Sequence, residues 1–102
     1  MYRSNVNRLS KERRNGYDII AEILDISKYG QKKTKIMYSA NLSYRQLDGY
    51  LSLLLGAGLL EKSNNPTKNI LKTTEKGMKC LDSYHEMTSL LEKLNQWHII
   101  VN

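Results

Sequence analysis

KKTKIMYSANLSYRQLDGYLSLLLGAGLL, residues 32–60, is the stretch whose reading decides the fold. From Thr34 to Ala40, the apolar residues Ile36, Met37 and Ala40 fall at helical spacing. Asn41-Leu42 is short enough only for a tight turn, and Asn tolerates turn conformations. Ser43 is placed to cap a second helix, with Gln46 three residues on as its capping-box partner. Leu47, Tyr50, Leu51, Leu54 and Leu55 form one apolar stripe on that helix. Arg45, Asp48, Gly49 and Ser52 fall on the opposite side. Gly58 stands where Gly commonly ends a helix. Two helices joined so tightly, the second with a polar N-terminal face, have the form of a helix-turn-helix that reads DNA.

The chain of 102 residues supports one domain with one modest core. Its 40% apolar content is a little below the globular average and points to an elongated or partly exposed structure. A net charge of +6 and a pI near 9.5 favour a polyanionic partner, nucleic acid before an anionic membrane surface. The charge is uneven. Arg3, Arg8, Lys11, Arg13 and Arg14 crowd the first 14 residues against Glu12 alone, and Lys28, Lys32, Lys33 and Lys35 precede the second helix with no acid among them. Solvated loops use such residues too, but beside a helix pair they suit phosphate contact and counterion release. No stretch approaches the ~20 apolar residues of a membrane span. The basic N-terminus has no apolar run behind it, so a secretory signal is not expected and the reading is cytoplasmic.

Residues 1–10 show no periodicity and read as a basic flexible arm. A first helix is expected from Ser10 or Glu12 to Tyr29, with Tyr17, Ile20, Ile23, Leu24 and Ser27 on its apolar side and Gly30 ending it. Gln31–Lys33 can form a short strand. Beyond Gly58, Leu59–Ser63 and Asn69–Thr73 read as two strands around Asn64-Asn65-Pro66-Thr67, where Pro66 forbids a helix. Strand, turn and strand directly behind a reading helix make a winged-helix arrangement. Its tip residues Asn64, Asn65, Thr67, Lys68 and Asn69 suit contact with a DNA backbone or minor groove. Any hairpin needs similar turn residues; the position behind the helix pair favours a wing.

Thr73 or Thr74 is placed to cap a last helix, with Glu75 in its first turn where the helix dipole favours an acid. Met78 and Leu81 are expected to pack back on the domain, and Gly77 to allow close chain approach. From Cys80 onward, Cys80, Tyr84, Met87, Leu91, Leu94, His98 and Val101 alternate steps of four and three, flanked by Leu90 and Trp97. A helix running past the domain leaves this stripe uncovered. A second copy covers it as a two-stranded coiled coil; folding back on the first helix is the alternative. The expected domains are an arm at 1–10, a winged-helix head at 11–76 and a dimerisation helix at 77–102.

Little supports catalysis. The lone Cys80 excludes an internal disulfide and a multi-cysteine metal site, and a single helical thiol is usually buried bulk. His85 and His98 are too far apart for one metal. There is no paired-carboxylate constellation, Gly-rich phosphate loop or zinc spacing. The expectation is a non-enzyme with no cofactor, no metal, no small-molecule substrate and no membrane partner.

The run Thr34–Tyr44, TKIMYSANLSY, the exit LGAGLLE at Leu55–Glu61 and TEKG at Thr74–Gly77 together resemble the small archaeal winged-helix DNA-binding proteins of the Sulfolobus 10a type. The likeness extends from about Tyr17 into the final helix. It implies a mainly α fold with a small β-hairpin, a winged helix-turn-helix head and a long C-terminal helix that pairs antiparallel in a homodimer. It also implies binding of double-stranded DNA with little sequence preference, as in nucleoid organisation. The first turn of the reading helix would then enter the major groove, with Ser43, Tyr44, Arg45 and Gly49 nearest the bases or flanking phosphates. Lys32, Lys33 and Lys35 would grip one backbone and Asn65, Thr67 and Lys68 the next, with Arg13 and Arg14 of the basic segment adding cations. Arg45 is the one side chain on that turn able to make a bidentate guanine contact, too little for strong selectivity. Heads at either end of an antiparallel coil suit bridging of two duplexes or separated contacts along one. A sequence-specific transcription regulator and a winged-helix protein-interaction adaptor are the alternatives.

Overall fold

The computed structural model describes residues 14–65 and 67–101, with side chains described through residue 94. Its elements are α1 (Gly16–Ile26), β1 (Gln31–Lys32), α2 (Lys33–Ser39), α3 (Tyr44–Gly56), β2 (Leu60–Lys62), β3 (Ile70–Thr73) and α4 (Glu75–Val101). The arm at 1–10, with Arg3 and Arg8, the following Lys11 and Arg13, and the turn residue Pro66 lie outside the described residues.

Helix α1 begins later than its apolar pattern suggests. Asn15 is extended and caps it, its side chain accepting from the Asp18 amide at 2.9 Å while Asp18 accepts from the Asn15 amide. This reciprocal cap satisfies two free amides and sets the start at Gly16, not at Ser10 or Glu12. The helix also stops earlier than Tyr29: Ser27–Tyr29 form a turn, and Gly30 at φ 91° carries the chain into β1.

The two helices of the central stretch end alike. After α2, Asn41 takes φ 57°; its amide bonds to the Tyr38 carbonyl and that of Leu42 to Met37. After α3, Gly58 takes φ 76°; its amide bonds to Leu55 and that of Leu59 to Leu54. Both are Schellman ends, which satisfy the last carbonyls and reverse the chain. Ser43 caps α3 as expected: its hydroxyl accepts from the Gln46 amide at 3.1 Å and the Gln46 side chain accepts from the Ser43 amide at 2.9 Å.

The short strand expected near Gln31 forms and joins the hairpin. Gln31 and Lys32 pair antiparallel with Leu71 and Ile70, so β3 lies between β1 and β2 in a three-stranded sheet. One face of that sheet closes on the helices. Leu60 and Leu71 join Ala21, Ile23, Leu24, Ile36, Ala40, Leu47, Leu51, Leu54 and Leu81 in a single buried cluster. Thr73 anchors the sheet to the end of α1, its hydroxyl donating to the Leu24 carbonyl at 2.7 Å and its amide to that of Ser27 at 3.0 Å.

Helix α4 is held where α3 ends. Thr74 caps it, accepting from the Gly77 amide at 3.0 Å and donating its hydroxyl to the Gly58 carbonyl at 2.6 Å. Lys76 reaches back to the Ala57 carbonyl at 2.9 Å. A Cβ on Gly77 would lie 2.2 Å from the Leu59 carbonyl oxygen, so only glycine permits this crossing. Leu81 is buried in the core, as expected, and Met78 is half-buried; beyond Tyr84 the helix leaves the core. The molecule measures 56 × 26 × 19 Å, elongated as its composition suggests.

Candidate nucleic-acid interface

The first turn of α3 presents Ser43, Tyr44 and Arg45 to solvent, followed by exposed Asp48, Gly49 and Ser52. The buried stripe Leu47, Leu51 and Leu54 holds the opposite side in the core and fixes this orientation. The Ser43 hydroxyl uses one of its two acceptor lone pairs on the cap, and its proton can still be donated outward. Nothing stands within 4 Å of a Cβ placed on Gly49, so that position is an open notch in the exposed face.

Lys33 does not stand free. Its ammonium lies 2.6 Å from the Asp48 carboxylate, donates to the Tyr44 hydroxyl at 3.1 Å, and sits 4.3 Å from the centre of the Tyr44 ring. These contacts tie the start of α2 to the first turns of α3. The hydrogen bond to Asp48, and then that to Tyr44, hold the Lys33 ammonium above its ordinary pKa, so it stays charged through the physiological range. Half of the Asp48 side chain is exposed, and a surface pair of this kind is worth about 0–1 kcal/mol. Lys32 and Lys35, by contrast, are exposed.

Between α3 and the wing runs a polar groove of about 370 Å³, lined by Lys33, Asp48, Ser52, Lys62, Asn69 and the edges of Leu51, Leu55 and Leu71. Lys62 was not among the candidates drawn from the sequence. It pairs with Leu71 across the sheet, and the strand alternation that sends Leu71 inward turns Lys62 toward α3. That placement follows only from the β2–β3 register. At the wing tip, Asn65 is a builder: its side-chain oxygen accepts from the Thr67 amide at 3.0 Å and the Thr67 hydroxyl at 2.7 Å, and its carbonyl accepts from the Lys68 amide. Asn69 closes the tip at φ 49°. Thr67 and Lys68 are exposed there.

Arg14 pairs with Glu22 of α1 at 2.6 Å, donates to the Asn41 carbonyl in the turn before α3 at 3.5 Å, and is only one-fifth exposed. Arg13, the other cation proposed with it, lies outside the described residues. On α4, Tyr84 is half-buried and donates its hydroxyl to Asp18, with burial and then this bond pushing its pKa up to about 12. Cys80 is exposed, and Met87, Leu90, Leu91 and Leu94 are 50–62% exposed. The side chains of His98 and Val101 lie outside the described residues. An apolar groove of about 230 Å³ between α1 and α4 is lined by Tyr17, Ile20, Leu24, Cys80, Tyr84 and Met87 among others. Among the described residues, no group of three or more His, Cys, Asp or Glu side chains is placed to hold a metal ion, and no helix is long and apolar enough to cross a membrane.

Comparison with known proteins gives this geometry a family. An uncharacterized protein of Methanocaldococcus jannaschii is 35% identical over 89 residues, covering 86% of this chain and 88% of that protein. The crystal structure of Sso10a-2, a DNA-binding protein from Sulfolobus solfataricus, superposes with a TM-score of 0.77 at 25% identity, covering 86% of this chain and 93% of that one. MepR, a transcription regulator of a Staphylococcus aureus multidrug efflux pump, shares the fold at 12% identity and a TM-score of 0.62, over 94% of this chain and 71% of that one. Residues 13–92 match the winged helix-turn-helix family as a whole, a span running from the lead-in to α1 to the exposed stripe of α4. With its helix-turn-helix, three-stranded sheet and long closing helix, the chain belongs to that winged helix-turn-helix family.

Proposed function

We propose that the protein binds double-stranded DNA largely through the sugar-phosphate backbone, as a homodimer that organises or bridges chromosomal DNA in the nucleoid. The observation that carries this reading is the solvent face of α3. It offers one guanidinium, Arg45, beside the Asp48 carboxylate and neutral groups at Ser43, Gly49 and Ser52, with exposed Lys32, Lys35 and Lys68 on the flanking elements. Such a face fits the major groove and holds phosphates, while a single bidentate donor carries little base discrimination. Sso10a-2, with the same architecture, is a DNA-binding protein. In this reading, residues 11–76 are the DNA-binding head, 1–10 a basic arm, and 77–102 the dimerisation segment.

The dimer rests on α4. Met87, Leu90, Leu91 and Leu94 are exposed on a helix of 27 residues, about 40 Å long. A second copy buries that stripe, with Cys80, Tyr84, His98 and Val101 completing the seam. The Tyr84 hydroxyl serves its own subunit through Asp18, so its ring edge is what remains for the partner.

A mobility-shift series on random-sequence duplexes at several salt concentrations tests the function. Backbone binding gives affinity for every duplex and a steep loss as salt rises. A preference of ~10³-fold or more for one sequence would replace it with the regulator reading, which the transcription-regulator fold of MepR makes the natural second. Absence of binding in dilute buffer would end it.

A further inference from the structure

We propose that Asp48 sets the strength of duplex binding by withholding Lys33 from the phosphates, and that the groove between α3 and the wing is a latent phosphodiester site. This inference rests on the duplex-binding reading and adds a residue that weakens it. Lys33 and Lys62 line the same groove, with Ser52 and Asn69 as neutral donors and Asp48 as its one acid. Two cations and two polar donors suit one anionic phosphate oxygen pair. Asp48 cancels one of those cations at 2.6 Å and puts a carboxylate on the face that approaches DNA.

The exchange is inexpensive in geometry. The Lys33 ammonium ends a flexible stem, its partner carboxylate is half exposed, and water and salt already screen the pair. Tyr44 holds the ammonium in place through its hydroxyl and ring whichever anion it faces. With Asp48 present, the pair brings no net charge to the duplex. Without it, Lys33 counts as one more phosphate contact.

The experiment compares the full-length chain, Asp48→Asn, Asp48→Glu and the double variant Lys33→Ala/Asp48→Asn on a random-sequence duplex across a salt series. Asp48→Asn should bind roughly three- to tenfold tighter in dilute salt. Its log–log salt slope should steepen by about 0.9, the count of one added phosphate. Asp48→Glu, which keeps the charge, should keep the parent slope, and the double variant should return to it. If Asp48→Asn binds no tighter with an unchanged slope, the inference is overturned while a steep parent slope leaves the duplex reading standing. If Asp48→Asn binds more weakly, the carboxylate contacts DNA, as in acceptance from a cytosine amine, and the inference is equally overturned. If the double variant keeps the steeper slope, the added contact is not Lys33 and the site is wrongly assigned. If no variant binds any duplex, the duplex reading fails and takes this inference with it.

Discussion

Gly77 and Gly49 put the same missing atom to opposite uses. At Gly77 a methyl group would overlap the Leu59 carbonyl and crowd Thr73, so Gly77→Ala should cost about 3 kcal/mol as α4 is pushed off α3. At Gly49 a methyl group meets open space inside a helix, so Gly49→Ala should gain about 1 kcal/mol from backbone entropy. Denaturant unfolding of the two variants checks both signs. The close approach at Gly77 was readable because T-E-K-G opens an amphipathic helix just after a strand. The pairing of Lys33 with Asp48 was not, because it joins two helices whose mutual angle no local pattern states. For the same reason the pairing of Arg14 with Glu22 was not legible.

At the scale of elements, α2, the turn and α3 were legible almost to the residue, since capping boxes and Schellman ends are written in local sequence. The start of α1 was missed: Asn15 and Asp18 make the same kind of cap, but the basic run before them reads as helical from composition alone. The third strand was legible as a short strand but its pairing was not, because β1 has two residues and its partner lies some forty positions away. The α1–α4 contact, also unreadable locally, has a pH signature. The Tyr84 hydroxyl is raised from the ordinary value near 10 to about 12, chiefly by burial and then by Asp18. The folded state therefore disfavours the phenolate. The stability from this contact is complete below about pH 10 and disappears as pH climbs through about 12. In urea unfolding across that window, the native chain should lose stability more steeply than Tyr84→Phe. Parallel profiles would remove the Tyr84–Asp18 contact from the account of folding.

For the whole molecule, the question is how many copies act together. Leu90, Leu91 and Leu94 are exposed along α4, and in the proposed dimer a second copy covers them. Leu91→Glu should convert a dimer to a monomer by light scattering while the helical circular dichroism of the head persists. On duplexes it should weaken binding by more than one contact's worth, because two linked heads rebind from high effective concentration. A native chain that is monomeric at micromolar concentration would dismiss the paired arrangement. The heptad was visible in the sequence, and so was the packing of Leu81 on the head; the bond from Tyr84 to Asp18 was not, because it joins α4 to α1 across 66 positions.

The junction of α3 with α4 carries a mechanical consequence. Ala57, Gly58 and Leu59 each give their carbonyl to Lys76 or Thr74, and Gly77 leaves no gap for the two to slide. In the proposed reading α3 is the blade and α4 its shaft, and these bonds leave little play between them. A twist of the shaft would then steer the blade, so that the angle at which DNA leaves would be set some distance from any base.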